Sequence, residues 1–153
     1  MKMKNFFLIV LFSIFLNSCG YNSIYSENQN INFTISSLEL NGDSEMNILV
    51  ERRLKKYLGK DSEKKFKIKI DTNYIKKPIS KDKTGKIKNY KLIAYLNLEF
   101  EIENQIKTLS LSETFKMESY TDKFEENKRE KQVKNNLTNI MLNKVTTYFA
   151  NYK

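Results

Sequence analysis

The order of apolar patterns along the chain predicts an α+β fold, a two-layer α/β sandwich in which two helices cover one face of a four-stranded mixed sheet. Three observations lead to it. Apolar and polar residues alternate cleanly through 65–74 and 90–102, as in half-buried strands. The apolar spacing becomes helical over 46–58 and again over 133–149. A short polar connection at 103–105 lies between two alternating stretches, as in a hairpin. The resulting order is β-α-β-β-β-α. A right-handed crossover through the first helix would set the first two strands parallel, and the hairpin would set the last two antiparallel.

Ahead of this domain stands a different kind of segment. Lys2 and Lys4 precede Phe6–Leu16, a nearly unbroken apolar run of eleven residues. That is about half of the ~20 residues a helix needs to cross a bilayer. A charged start, a short apolar middle and a small residue before the break mark residues 1–18 as a secretory signal peptide. Leu16-Asn17-Ser18-Cys19-Gly20 closely resembles the lipobox of bacterial lipoproteins, with Asn17 departing from the small residue usual at its position. The resemblance implies that Cys19 becomes the first mature residue and carries a diacylglycerol thioether and an N-acyl chain such as palmitate. Cys19 is the only cysteine, so no intramolecular disulfide can form, and acylation would consume a thiol otherwise free in an oxidising compartment. An ordinary signal peptide with an incidental cysteine is the plainer alternative. Two or more acyl chains suffice for stable anchoring, each buried methylene contributing about 0.8 kcal/mol.

Residues 19–30 are polar and without period, and read as a lipidated tether; residues 31–153 read as one domain. Charge is unevenly spread over the chain. Between Glu51 and Lys91 there are 16 Lys/Arg and 5 Asp/Glu, whereas residues 19–50 hold four acids and no base, and residues 92–153 balance at nine each. Basicity concentrated in one third of a domain points to an anionic partner. Export excludes most nucleic-acid partners and leaves anionic lipid, phosphorylated glycolipid or an acidic protein surface. A solvated lysine-rich face in a compositionally biased protein remains the bland alternative.

In the first strand, 31–40, Ile31, Phe33 and Ile35 share one face and Asn32, Thr34 and Ser36 the other. Leu38 and Leu40 then change parity, which predicts a bulge or the end of the strand. Asn41-Gly42-Asp43-Ser44 supplies a turn, with Asp43 or Ser44 as helix N-cap. Met46, Leu49, Val50, Leu54, Tyr57 and Leu58 follow at helical spacing, and Gly59 is the stop. Core packing explains this stripe better than membrane-surface binding by its basic side. The second strand, 65–74, turns Phe66, Ile68, Ile70, Thr72 and Tyr74 inward and presents Lys65, Lys67 and Lys69 outward.

Residues 76–88, KKPISKDKTGKIK, contain Pro78, Gly85 and few apolar side chains, and read as an exposed, mobile loop. The third strand carries Tyr90, Leu92, Ala94, Leu96, Leu98, Phe100 and Ile102 on one face, and Asn104 is suited to a left-handed turn. In the return strand, Ile106 to about Tyr120, Leu109, Leu111, Phe115 and Met117 share a face that Glu113 interrupts, which predicts a bulge or a rim position. From Asp122 a final helix runs to about Ala150 along Val133, Leu137, Ile140, Met141, Val145, Tyr148 and Phe149. Asp122 with Glu125 resembles a capping box.

Nothing in the chain suggests turnover. There is no histidine, no glycine-rich phosphate loop and no G-x-S-x-G or S-x-x-K motif. Pairs such as Glu99/Glu101 sit where solvated ion pairing is the usual role. We therefore expect a non-enzymatic protein with neither cofactor nor metal.

With this layout the chain resembles the LPS-assembly lipoprotein LptE family, also called rare lipoprotein B, in its alphaproteobacterial form. Cys19-Gly20-Tyr21 with Tyr25 is similar to the family's C-G-[FY]-x-P-L-Y opening, Ser23-Ile24 replacing Pro-Leu. Arg52-Arg53-Leu54 stands where the family shows a basic helix. Ser119-Tyr120, Phe124, Leu137, Ile140 and Tyr148-Phe149 resemble its strand exit and final helix, with Glu125 and Val133 where alanines are usual. The resemblance implies a lipid-anchored outer-membrane protein facing the periplasm. It would plug the LptD β-barrel and assist insertion of lipopolysaccharide, with basic residues on the lipid A phosphates. Lys67, Lys69, Lys76, Lys77, Lys81, Lys83 and Lys86 are the candidates for that contact. An auxiliary lipid-binding lipoprotein of another envelope transport system is the alternative.

Overall fold

The structure, a computed structural model, describes residues 32–152. The signal peptide, Cys19 and the tether at 19–30 lie outside the described residues, as does Ile31. The elements are β1 (Phe33–Gly42), α1 (Ser44–Leu54) closed by a 3-10 turn (Lys55–Tyr57), β2 (Lys64–Lys81), β3 (Ile87–Ile102), β4 (Gln105–Glu118) and α2 (Lys123–Ala150). The predicted β-α-β-β-β-α order holds. The strands form one mixed sheet in the order β1-β2-β3-β4, with β1 parallel to β2 and the other pairs antiparallel.

The core follows from the alternation. Phe66, Ile68 and Ile70 of β2 and Leu92, Ala94, Leu96, Leu98, Phe100 and Ile102 of β3 turn inward against Met46, Val50 and Leu54 of α1 and Val133, Leu137, Met141, Val145 and Phe149 of α2. Its densest part is aromatic: Phe66 stacks on Phe149 with ring centroids 4.3 Å apart, and Phe33 on Tyr57 at 4.7 Å. The change of parity in β1 is a bulge, since the register with β2 slips between Ile35 and Ser37. Thr34, expected outside, is buried because its hydroxyl donates to the Tyr57 carbonyl at 2.9 Å while accepting from the Lys60 N–H at 3.0 Å. Asp43 caps α1, accepting from the Met46 N–H at 2.9 Å. Gly42 ends β1 at φ +95°, where a Cβ would run into the Thr72 carbonyl oxygen.

The reading of 76–88 as a loop is corrected. β2 continues to Lys81 and β3 begins at Ile87, so only five residues connect them, and 76–81 are paired strand. Pro78 is what gives the stretch its loop-like character in the sequence. It is tolerated because β1 pairs with β2 only as far as Thr72, which leaves the rest of β2 an edge where no second ladder needs the missing N–H. In the connection, Asp82 Oδ1 accepts from the Thr84 N–H at 2.8 Å and the Lys86 N–H at 3.0 Å, and Gly85 takes φ +82°.

The second hairpin is as tight as expected, with Glu103 at φ 50° and Asn104 at φ 63° closed by Ile102 opposite Gln105. No bulge accompanies Glu113, whose strand keeps one register throughout; the carboxylate lies at the rim, paired with Lys144 of α2. Asp122 caps α2 through the Phe124 N–H at 2.8 Å. The acid that reaches back toward the strand exit is Glu126 rather than Glu125, accepting from the Tyr120 N–H at 3.0 Å. Among the described residues no helix is long and apolar enough to cross a membrane.

Candidate anion-binding surface

Both helices lie on one face of the sheet, so residues of opposite parity form an outer face that neither helix covers. Its two ends differ. Near β1 the outward lysines have acids beside them: Lys67 Nζ lies 3.1 Å from Glu101, and Lys69 Nζ 3.6 Å from Glu39. These exposed pairs neutralise one another at little energetic gain. Toward the β2–β3 connection the outward acid of the strands is Glu118, opposite Asn89, and it makes no ion pair among the described residues.

There the register sets Lys77 opposite Lys91, and Lys91 opposite Lys116. Three ammonium groups on neighbouring strands, which run about 4.8 Å apart, form a row across the sheet. Like charges directly opposite are destabilising, and none of the three makes an ion pair among the described residues. One row away on the same face stand Ile75 and Ile93. Lys81, Lys83 and Lys86 lie at the same end, in the strand terminus and the connection, and make no ion pair among the described residues either.

Lys76 is different. It lies on the inner side, 3.1 Å from Glu126 and 2.7 Å from Glu130 of α2, with its ammonium 4.3 Å from the Tyr90 ring centroid. Burial works against its charge, but the hydrogen bonds to Glu130 and Glu126 outweigh it and raise its pKa. Glu126 is only 2% exposed. Burial favours its neutral form, yet the Tyr120 N–H, Lys76, Lys123 and the Ser119 hydroxyl together bring its pKa down to about 2. Beside it, Tyr74 donates to Glu130 at 3.1 Å, and burial followed by the nearby carboxylate pushes its pKa up. Lys134 completes the inner network, 2.8 Å from Glu45 and 3.2 Å from Asp43.

The seven lysines singled out from the sequence therefore divide into three groups. Lys77, Lys81, Lys83 and Lys86 gather at one end with no acid paired to them; Lys67 and Lys69 stand apart among acids; Lys76 ties β2 to α2. Lys91 and Lys116 were missed. The signal for them was in the alternation, which places Lys91 opposite in parity to Leu92, but the row exists only once three strands are aligned. The same end exposes apolar side chains: Phe124 is 73% exposed and Ile79 45%. A bond from the Ser119 N–H to the Lys88 carbonyl, 2.9 Å, holds the start of α2 to this end of the sheet. No cluster of acids or cysteines suited to a metal ion occurs among the described residues.

No family model matches the sequence, and no curated protein matches it. Solved structures do. The chain is similar in fold to rare lipoprotein B from Shewanella oneidensis, with TM-score 0.54 and 14% identity over 76% of this chain and 98% of that one. It also aligns with lipoprotein B from Nitrosomonas europaea, at TM-score 0.47 and 10% identity over 76% of this chain and 83% of that one. At 14% identity the likeness to the Shewanella protein is one of fold.

Proposed function

We propose that this chain is an envelope lipoprotein of the LptE type, anchored through acylated Cys19, that binds the phosphorylated part of an anionic glycolipid at the connection end of its β2–β3 hairpin. In this reading it acts by occupancy, as the plug and assembly partner of an LptD-like outer-membrane β-barrel that delivers lipopolysaccharide to the outer leaflet. The observation that carries it is the row Lys77–Lys91–Lys116, three cations set side by side with no acid paired to them. Such a row is costly for folding alone, and phosphate oxygens would relieve it through charge-assisted hydrogen bonds. The exposed Phe124 and Ile79 at the same end favour an amphiphile over a purely hydrophilic polyanion. The fold shared with rare lipoprotein B and the lipobox-like Leu16–Gly20 support the envelope setting.

Isolation of the native protein from the outer membrane in mild detergent tests the reading. A β-barrel should accompany it in stoichiometric amount, and bound lipid should be phosphorylated glycolipid by mass spectrometry. Recovery with an inner-membrane transporter and ordinary phospholipid would replace it by the auxiliary-carrier alternative. Cys19→Ser should move the protein out of the membrane fraction, and retention there would contradict the anchor.

A further inference from the structure

The three exposed strand edges of the sheet are not alike. β1 carries a bulge at Ser36, and the stretch of β2 beyond Thr72 carries Pro78 and register shifts on either side of Ser80. These are devices that keep an edge from pairing with another chain. β4 has neither. Its fourteen residues, Gln105–Glu118, keep one unbroken register with β3 and contain no proline. The connection Glu103-Asn104 makes Ile102 and Gln105 a hydrogen-bonded pair, so the odd-numbered residues of β4 bond to β3. The bond from the Ser119 N–H to the Lys88 carbonyl continues that pattern. The backbone groups of Ile106, Thr108, Ser110, Ser112 and Thr114 consequently face away from the sheet.

We infer that this edge pairs with β4 of a second copy, antiparallel and centred on Ser110. The free backbone groups belong to even-numbered residues, so an antiparallel pair must set even opposite even. Of the registers that satisfy this, the one centred on Ser110 alone sets Lys107 opposite Glu113, and two-fold symmetry makes that pair twice. It also sets Leu109 opposite Leu111, Thr108 opposite Ser112, and the 69% exposed Ile106 opposite Thr114. Centring one residue later sets Glu113 against Leu109, and centring on Glu113 sets like charges together. Glu113 already touches Lys144, so Lys107 of the second copy would give its carboxylate a cation on each side. An open groove of about 800 Å3 between β4 and the end of α2, lined by Lys107, Asn143, Tyr148 and Tyr152 among others, leaves room beside the edge. This inference goes beyond the lipid-binding proposal and does not depend on it.

The test uses the full chain carrying Cys19→Ser, so that an introduced cysteine is the only thiol. Ser110→Cys should be converted to a covalent dimer by a short bis-maleimide. Thr114→Cys, whose two copies would stand about 27 Å apart along the strands, should not. Light scattering should show a dimer that Lys107→Glu weakens about tenfold or more, since symmetry reverses two pairs at once. Lys107→Glu with Glu113→Lys should regain part of that loss, with circular dichroism confirming that each variant is folded. A monomer at all concentrations, equal cross-linking at the two positions, or cross-linking only to a polypeptide of different mass would overturn the inference.

Discussion

Strand β2 is one continuous ribbon that behaves as two. From Lys64 to Thr72 it pairs with β1, and from Lys67 with β3 as well; its inward side chains are Phe66, Ile68 and Ile70, and outward Lys67 and Lys69 meet Glu101 and Glu39. Beyond Thr72 it loses β1, its inward side chains are Tyr74 and Lys76, and outward Lys77 faces Lys91. The first half is held by aromatic packing and is electrically quiet outside. The second half is held by an ionic tie to α2 and is electrically loaded outside. Aromatic packing and an ionic tie thus hold different halves of one strand, and the second half carries outward charges that folding alone does not favour.

The difference is sharpest if each half is cut at its centre. Phe66→Ala, which removes a ring packed against Phe33, Phe100 and Phe149, is expected to cost about 3–5 kcal/mol in urea unfolding at any pH near neutral. In α2, Glu126→Ala strips Lys76, in the second half of β2, of a buried partner and leaves the Tyr120 N–H without its acceptor. Breaking such a pair costs about 3 kcal/mol.

The two halves also differ in their response to acid. The Glu126 pKa is about 2 in the folded protein, below its ordinary value of 4.5. The unfolded chain therefore takes up the proton first as pH falls. The stabilisation is complete above pH 4.5 and disappears as pH drops toward 2. Glu126→Gln should flatten the stability–pH curve in that window, and Phe66→Ala should shift the curve without flattening it. An unchanged slope in Glu126→Gln would mean that the ionic tie does not hold the distal half.

Much of this division was readable from residues alone. The alternation through Phe66–Thr72 and Leu92–Ile102 and the stripes of α1 and α2 fixed the layers, because burial on one face imposes a period that sequence preserves. The parity change at Leu38 announced the bulge in β1. What escaped was whatever depends on strand alignment. Pro78 and the lysines around it looked like a loop, since nothing local says that β1 stops at Thr72 and makes an edge there. Lys76 looked like its neighbours, although one step of parity turns it toward Glu126 and Glu130 across about fifty residues of chain. Lys91 and Lys116 became interesting only beside Lys77. The capping-box spacing points to Glu125 as the acid that locks the start of α2, whereas the strand exit at Ser119-Tyr120 reaches Glu126.

The smallest effect expected on stability is on the quiet outer surface. Lys67→Gln removes an exposed pair with Glu101 and should change unfolding free energy by less than about 1 kcal/mol. Its effect on glycolipid binding should be equally slight, because Glu101 and Glu39 leave little net charge at that end.

The most direct test of the central claim sets the two outer ends against each other. Binding to vesicles containing phosphorylated lipid A is measured at low and high salt for the native chain, for Lys77→Gln/Lys91→Gln/Lys116→Gln, and for Lys67→Gln/Lys69→Gln. The distal triple variant should lose about tenfold or more in affinity together with most of the salt dependence, with folding stability unchanged or slightly raised. The proximal pair should bind as the native chain does. Equal losses in both variants, or none in the triple variant, would contradict the assignment of the anion site to the distal half.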